Sequence, residues 1–120
     1  MLTGSLFTTG SINKNSAISY HHDRGNLRGA WSAMLVVRRA VTGGDLVLPE
    51  YGCVLRLRDG DALLFDGQST LHGVTPLSVS PGGYRYTLVY YTLEQIWRCL
   101  APLAELERIQ SARRKKRAPS

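Results

Sequence analysis

Turn-forming residues recur so often in this chain that only short elements fit between them. Gly10, Gly25-Asn26, Gly29, Gly43-Gly44, Pro49, Asp59-Gly60, Asp66-Gly67 and Pro81-Gly82-Gly83 punctuate the sequence, and such residues supply positive φ or a pre-bent backbone. Between them lie runs of strand length and composition: Ala17–His22, Trp31–Val37, Asp45–Leu48, Cys53–Leu57, Ala62–Phe65, Ser69–Gly73 and Tyr84–Tyr91. Short strands joined by tight turns predict a mainly β sandwich or barrel.

The pattern changes after Tyr91. Thr92-Leu-Glu-Gln95 reads as a capping box and predicts a short helix from Leu93 to about Leu100. Pro102 suits the first turn of a second helix, whose Leu103, Leu106 and Ile109 recur every third residue and are expected to pack on the β-body. Beyond Gln110 no apolar face is left to bury. The expected organisation is one domain over 1–110, with a β-core to about residue 91 and helices over 92–110, followed by a mobile basic tail at 111–120.

Charge agrees with that division. The 120 residues hold 15 Lys+Arg against 9 Asp+Glu, a formal +6. Six of the basic residues, Arg108, Arg113, Arg114, Lys115, Lys116 and Arg117, stand in 108–120, where there is no acid. The body without them is formally neutral, which excludes a uniformly basic protein. Apolar stretches such as Ala33–Val37 are too short to cross a bilayer, and no secretory signal is visible. Two cysteines, Cys53 and Cys99, make no disulfide framework and are expected as reduced, packed thiols in a cytoplasmic protein.

Three places carry chemistry. In His21-His22-Asp23, an extended backbone projects His21 and Asp23 to one face and His22 to the other. Imidazole and carboxylate side by side are two ligands of a 2-His-1-carboxylate iron site, although the pair alone also fits an exposed surface. His72 is one of three histidines, and the preceding Gly60–Gly67 segment reads as a hairpin strand able to return it toward the first pair. In Tyr84–Tyr91, alternation places Arg85, Thr87, Val89 and Tyr91 on one face. An arginine with a hydroxyl two residues on, facing a barrel interior, is a fork for a carboxylate. An exposed arginine on an edge strand is the alternative.

The order of these signals, His-x-Asp, then His, then an Arg-x-Thr strand, resembles the 2-oxoglutarate/Fe(II) dioxygenases. The similarity runs from about Phe7 to Cys99 and is closest to the TET/JBP-like branch, including its small phage and microbial members. His72-Gly-Val-Thr-Pro76 looks like that branch's His-x-x-Thr-Pro. Arg85-Tyr-Thr-Leu-Val-Tyr-Tyr91 looks like its Arg-x-Ser-Leu-Val-[aromatic]-Tyr.

The resemblance implies a double-stranded β-helix, or jelly roll, with the site in its mouth. It implies that His21, Asp23 and His72 bind Fe(II), and that Arg85, helped by Thr87, pairs with 2-oxoglutarate, with O2 as co-substrate. It further implies that the C5-methyl of a pyrimidine in DNA, 5-methylcytosine or thymine, is hydroxylated after leaving the base stack. Asn26 stands where family members hydrogen-bond the base, and Tyr91 where an aromatic ring stacks on it. Leu93 occupies the place where animal TET proteins offer a histidine. Few residues precede His21, as expected of a minimal member or a truncated reading frame.

The basic residues Arg113, Arg114, Lys115, Lys116 and Arg117 are expected to attract the DNA backbone. If the chain is phage-encoded, the cytoplasm is the host's. Two other readings fit the residues: the same cofactor chemistry on a protein side chain or small molecule, and a non-catalytic jelly-roll DNA-binding module.

Overall fold

The computed structural model describes residues 3–117. Seven strands form two antiparallel sheets: β1 (Thr9–Lys14), β2 (Ser32–Gly43), β3 (Leu46–Leu48), β4 (Cys53–Leu55), β5 (Ala62–Phe65), β6 (Gly73–Val74) and β7 (Leu77–Tyr91). The larger sheet has the order β1-β7-β2-β5 and the smaller one β4-β3-β6. This is the expected mainly β, jelly-roll class.

The long ladder between β2 and β7 is the spine, running from Ala33↔Tyr90 to Gly43↔Leu77. Its length departs from the expectation that Pro81-Gly82-Gly83 ends a segment. The register slips between Arg39 and Val41, with Ala40 at a φ of 49°, so these residues form a bulge within paired strands. A Cβ on Gly83 would lie 2.6 Å from the Ala40 carbonyl oxygen, so only glycine permits this backbone approach. The turn chemistry was legible, but it bends a strand instead of separating two.

Two further differences concern the N-terminal region. Ala17–His22 is not a strand, and only His21 makes an isolated bridge, with His72. The first strand is Thr9–Lys14, running through Gly10, whose bare Cα lets the Tyr90 ring close over it; a Cβ there would sit 3.2 Å from that ring.

The helices also differ from expectation. The first, α1, spans Glu94–Trp97, with Leu93 at its N-cap and no side-chain cap. The capping box does not form, because Thr92 Oγ1 donates to the Leu6 carbonyl at 2.7 Å. The second, α2, spans Pro102–Arg117 and so continues past Gln110 through the basic run. Arginine, lysine, alanine and glutamate are strong helix formers, and Arg108 pairs with Glu105 one turn away. Residues 118–120 of the expected tail lie outside the described residues. Leu103, Leu106 and Ile109 are 78%, 52% and 40% exposed, so the expected packing on the β-body is not made. No described helix is long and apolar enough to cross a membrane.

Interior composition locates the site. Among the described residues the buried apolar side chains are Met34, Val36 and Leu46, whereas Asn26, Ser32, His72, Arg85, Thr87 and Thr92 are buried polar ones. Buried polar groups need partners. A β-body whose interior is this polar is built around a cavity.

Candidate active site

His21 and His72 face each other on one rung. The His21 N–H donates to the His72 carbonyl at 2.9 Å, and the His72 N–H returns the bond at 3.1 Å. Their ring centroids are 4.3 Å apart. Asp23 follows two residues on, its N–H donating to the Gly67 carbonyl at 2.9 Å. The Asp66-Gly67 turn is itself held by Asp66 Oδ1, which accepts from the N–H groups of Gln68 and Ser69, each at 3.1 Å.

Asp23 Oδ1 thereby lies 3.2 Å from His21 Nε2 and 3.4 Å from His72 Nε2. The three candidate ligand atoms all fall within 4.8 Å of one another. Both histidines place Nδ1 against a carbonyl at 2.8 Å, His21 against Ser19 and His72 against Thr70. A carbonyl only accepts, so Nδ1 carries the proton and Nε2 is left as a ligand. His22 points elsewhere, with Nδ1 3.1 Å from the Gln68 carbonyl.

Burial pushes the His72 imidazole down. The hydrogen bond to Asp23, the Thr70 carbonyl and the Asp23 charge outweigh that, and its pKa stands above the ordinary 6.5. Phe65 meets the same ring edge-on at 5.0 Å and walls the site on one side. Two imidazoles and one carboxylate, converging with their protonated faces turned away, fit a divalent transition metal such as Fe(II).

The other end of the cavity is built by β7. Arg85, Thr87, Val89 and Tyr91 line it, as the alternation predicted, and its volume is about 290 Å³. Arg85 is only 2% exposed, yet its Nε and Nη2 have no hydrogen-bond partner. Burial lowers its pKa below the ordinary arginine value, the nearby Arg38 charge lowers it further, and Asp45 opposes both. A buried guanidinium with free donors fits a carboxylate such as that of 2-oxoglutarate. Arg38, by contrast, is occupied, because it donates to the carbonyls of Leu57, Val41 and Gly43.

Residues that sequence reasoning passed over hold both ends in place. A Cβ on Gly67 would overlap the Asp23 carboxylate, and one on Gly44 would lie 2.8 Å from Arg85 Cδ and Nε. Gly44 also has a φ of +71°. Asn15 brackets the arginine, its Oδ1 accepting from the Arg85 N–H at 2.7 Å and its own N–H donating to the Arg85 carbonyl at 2.8 Å. Asn13 Nδ2 donates to Thr87 Oγ1 at 3.4 Å. Thr75 of the His-x-x-Thr-Pro stretch accepts from the Asp45 N–H at 2.9 Å, which secures the segment under Arg85. Only the spacing around Thr75 signalled any of this.

The two substrate-side candidates reach the same cavity. Asn26 is 5% exposed, with Nδ2 donating to Ser32 Oγ at 3.2 Å and its carbonyl accepting from Gln68 Nε2 at 2.7 Å. Tyr91 lines the wall beside Leu93, and Leu93 bridges to Asn26. The structure thus brings together His21, Asp23, His72, Arg85, Thr87, Asn26 and Tyr91. The basic residues Arg113, Arg114, Lys115, Lys116 and Arg117 are on α2, and the first four do not line this cavity.

Comparison with known proteins agrees with this geometry. Residues 1–94 match the Tet_JBP family, described as the oxygenase domain of the 2OGFeDO superfamily. The bifunctional helicase and thymine dioxygenase JBP2 of Trypanosoma brucei brucei is 35% identical over 85 residues, covering 71% of this chain and 8% of that protein. JBP2 of Trypanosoma cruzi is 35% identical over 74 residues, covering 62% of this chain and 7% of that protein. The chain therefore spans under a tenth of the length of these curated relatives. The solved structure of NgTET1 in complex with 5mC DNA superposes with a TM-score of 0.63 at 25% identity, covering 78% of this chain and 36% of that one. Ordered ligand residues, a jelly-roll frame and a match over most of the sequence converge on one conclusion: the chain belongs to the TET/JBP oxygenase family of the 2-oxoglutarate/Fe(II) dioxygenases.

Proposed function

We propose that this chain is an Fe(II)/2-oxoglutarate-dependent dioxygenase that hydroxylates the C5-methyl group of a pyrimidine, 5-methylcytosine or thymine, in DNA. The observation that carries the reading is one cavity with a His21–Asp23–His72 cluster at one end and the unpartnered Arg85 guanidinium at the other. In that reading His21, Asp23 and His72 hold the iron through Nε2, Oδ and Nε2. Arg85 and Thr87 fix the far carboxylate of 2-oxoglutarate, which orients its keto-acid end toward the metal. When bound, the two cofactors consume O2 and convert 2-oxoglutarate to succinate and CO2 while one oxygen atom enters the substrate C–H bond.

The protein's own part is position and exclusion. Phe65, Met34 and Val89 make the cavity wall apolar, which keeps water from the reacting bond. Asn26, fixed by Ser32 and Gln68, offers its amide to the edge of an extruded base, and Tyr91 offers a ring to its face. DNA as substrate is supported by the thymine dioxygenase description of the trypanosome relatives and by the DNA bound to NgTET1. On this reading the cationic run on α2, Arg113, Arg114, Lys115, Lys116 and Arg117, serves as a backbone contact.

The test is a reconstituted reaction with Fe(II), ascorbate, 2-oxoglutarate and oligonucleotides containing 5-methylcytosine or thymine. Succinate and a hydroxymethyl base are expected together, and both are expected to vanish in His72→Ala. Succinate release without base oxidation would redirect the substrate to a protein side chain or small molecule. Absence of metal binding would leave a non-catalytic module.

A further inference from the structure

The loop joining Asp23 to β2 carries two arginines and a tryptophan to which the reading above gives no part. Its sequence is Arg24-Gly-Asn-Leu-Arg28-Gly-Ala-Trp31. Asn26 within it reaches the cavity, and Arg24 lines the same space. The loop is tied down at its middle: the Leu27 N–H donates to the Thr92 carbonyl at 2.8 Å, and the Gly25 carbonyl accepts from the Glu94 N–H at 3.0 Å. Gly25 and Gly29 turn the backbone through φ values of +99° and +75°. Arg24, Arg28 and Trp31 are left exposed, Trp31 by 62%.

Most other arginines of the β-body are engaged or buried, with Arg39, exposed on β2, the exception. Arg56 and Arg58 pair with Asp45 and Asp61, Arg38 is bound by carbonyls, and Arg85 is buried. Among the described residues, the side chains of Arg24 and Arg28 make no ion pair and no hydrogen bond. Glu94, which holds the loop through its backbone bond to Gly25, is already paired with Arg98. A neutral body therefore presents two uncompensated cations on the loop that reaches its cavity. Trp31 immediately precedes Ser32 of β2, and its indole is exposed where Ser32 is buried.

We infer that the loop 24–31 grips the DNA strand around the extruded nucleotide, with Arg24 and Arg28 on flanking phosphates and Trp31 stacked on a neighbouring base. Two free guanidiniums beside an exposed indole are the two components of single-strand recognition, charge for the backbone and a π-face for the base. The loop also carries Asn26 at its centre, so strand grip and base contact share one rigid segment. This inference rests on the DNA reading above.

The full chain is tested by fluorescence anisotropy with a labelled 5-methylcytosine oligonucleotide over a range of NaCl concentrations. In Arg24→Ala/Arg28→Ala, the slope of log K against log salt is expected to become shallower by about 1 to 2. Trp31→Ala is expected to weaken binding roughly tenfold. In Trp97→Phe protein, where Trp31 is the remaining tryptophan, saturating DNA is expected to quench its fluorescence. Mn(II) binding by the same variants should be unchanged, showing an intact fold. An unchanged slope in the double variant, or unquenched Trp31, overturns the inference while leaving the DNA reading standing. Wild-type protein that binds Mn(II) and 2-oxoglutarate but no DNA overturns both.

Discussion

The two ends of the cavity solve opposite electrostatic problems in different ways. At the candidate metal end both Nδ1 atoms rest on carbonyls, so both Nε2 atoms and Asp23 Oδ1 converge as acceptors. At the other end Arg85 is buried with Nε and Nη2 unmatched, beside a second guanidinium on Arg38 whose charge adds to the strain. The cation site can hold its shape through internal hydrogen bonds. The arginine end is held by the ties of Asn15 to its backbone, and the guanidinium donors are left without a partner. Lone pairs converge at one end and unpartnered donors at the other, so each end would be completed by a ligand of opposite character.

The largest test of that contrast removes a metal ligand. His72→Ala should abolish base oxidation and weaken Fe(II) or Mn(II) binding by at least about a hundredfold, read by equilibrium dialysis. Next, Arg85→Met should weaken 2-oxoglutarate binding by roughly a hundredfold, yet raise cofactor-free stability by about 1–3 kcal/mol, because an unpaired buried charge is replaced by an apolar chain. Chemical denaturation without 2-oxoglutarate measures this, and a destabilised variant would break the contrast. The two glycines then separate the ends. Gly67→Ala should weaken metal binding about tenfold or more by displacing Asp23, whereas Gly44→Ala should do the same to 2-oxoglutarate by displacing Arg85. Smallest is Asn13→Ala, which frees Thr87 and should cost 2-oxoglutarate affinity only about two- to tenfold.

What the sequence disclosed about the site and about the frame differs for a physical reason. Candidate metal ligands and a carboxylate-binding arginine must be particular residue types, so His21, Asp23, His72 and Arg85 stand out by chemistry and order. Residues that make room, such as Gly44 and Gly67, look like any turn glycine until the neighbour that needs the space is known. The same ambiguity hid β1 behind Gly10 and turned the bulge at Pro81-Gly82-Gly83 into an apparent end of a strand. Helix α2 misled in the other direction. Its apolar spacing at Leu103, Leu106 and Ile109 promised burial, but helix propensity alone carries it, with that stripe still in solvent.

The rung joining His21 to His72 has a consequence for folding. Between those two residues the chain runs through all of β2 to β5, and at the rung itself only an isolated bridge closes that circuit. A metal held by both imidazoles would act there as a removable cross-link between distant parts of the chain, in the manner of a disulfide that a chelator can open. Ligand present at a hundred times its dissociation constant adds about 2.7 kcal/mol to the folded state. On the proposed metal assignment, melting curves of this protein should therefore shift with the metal content of the buffer.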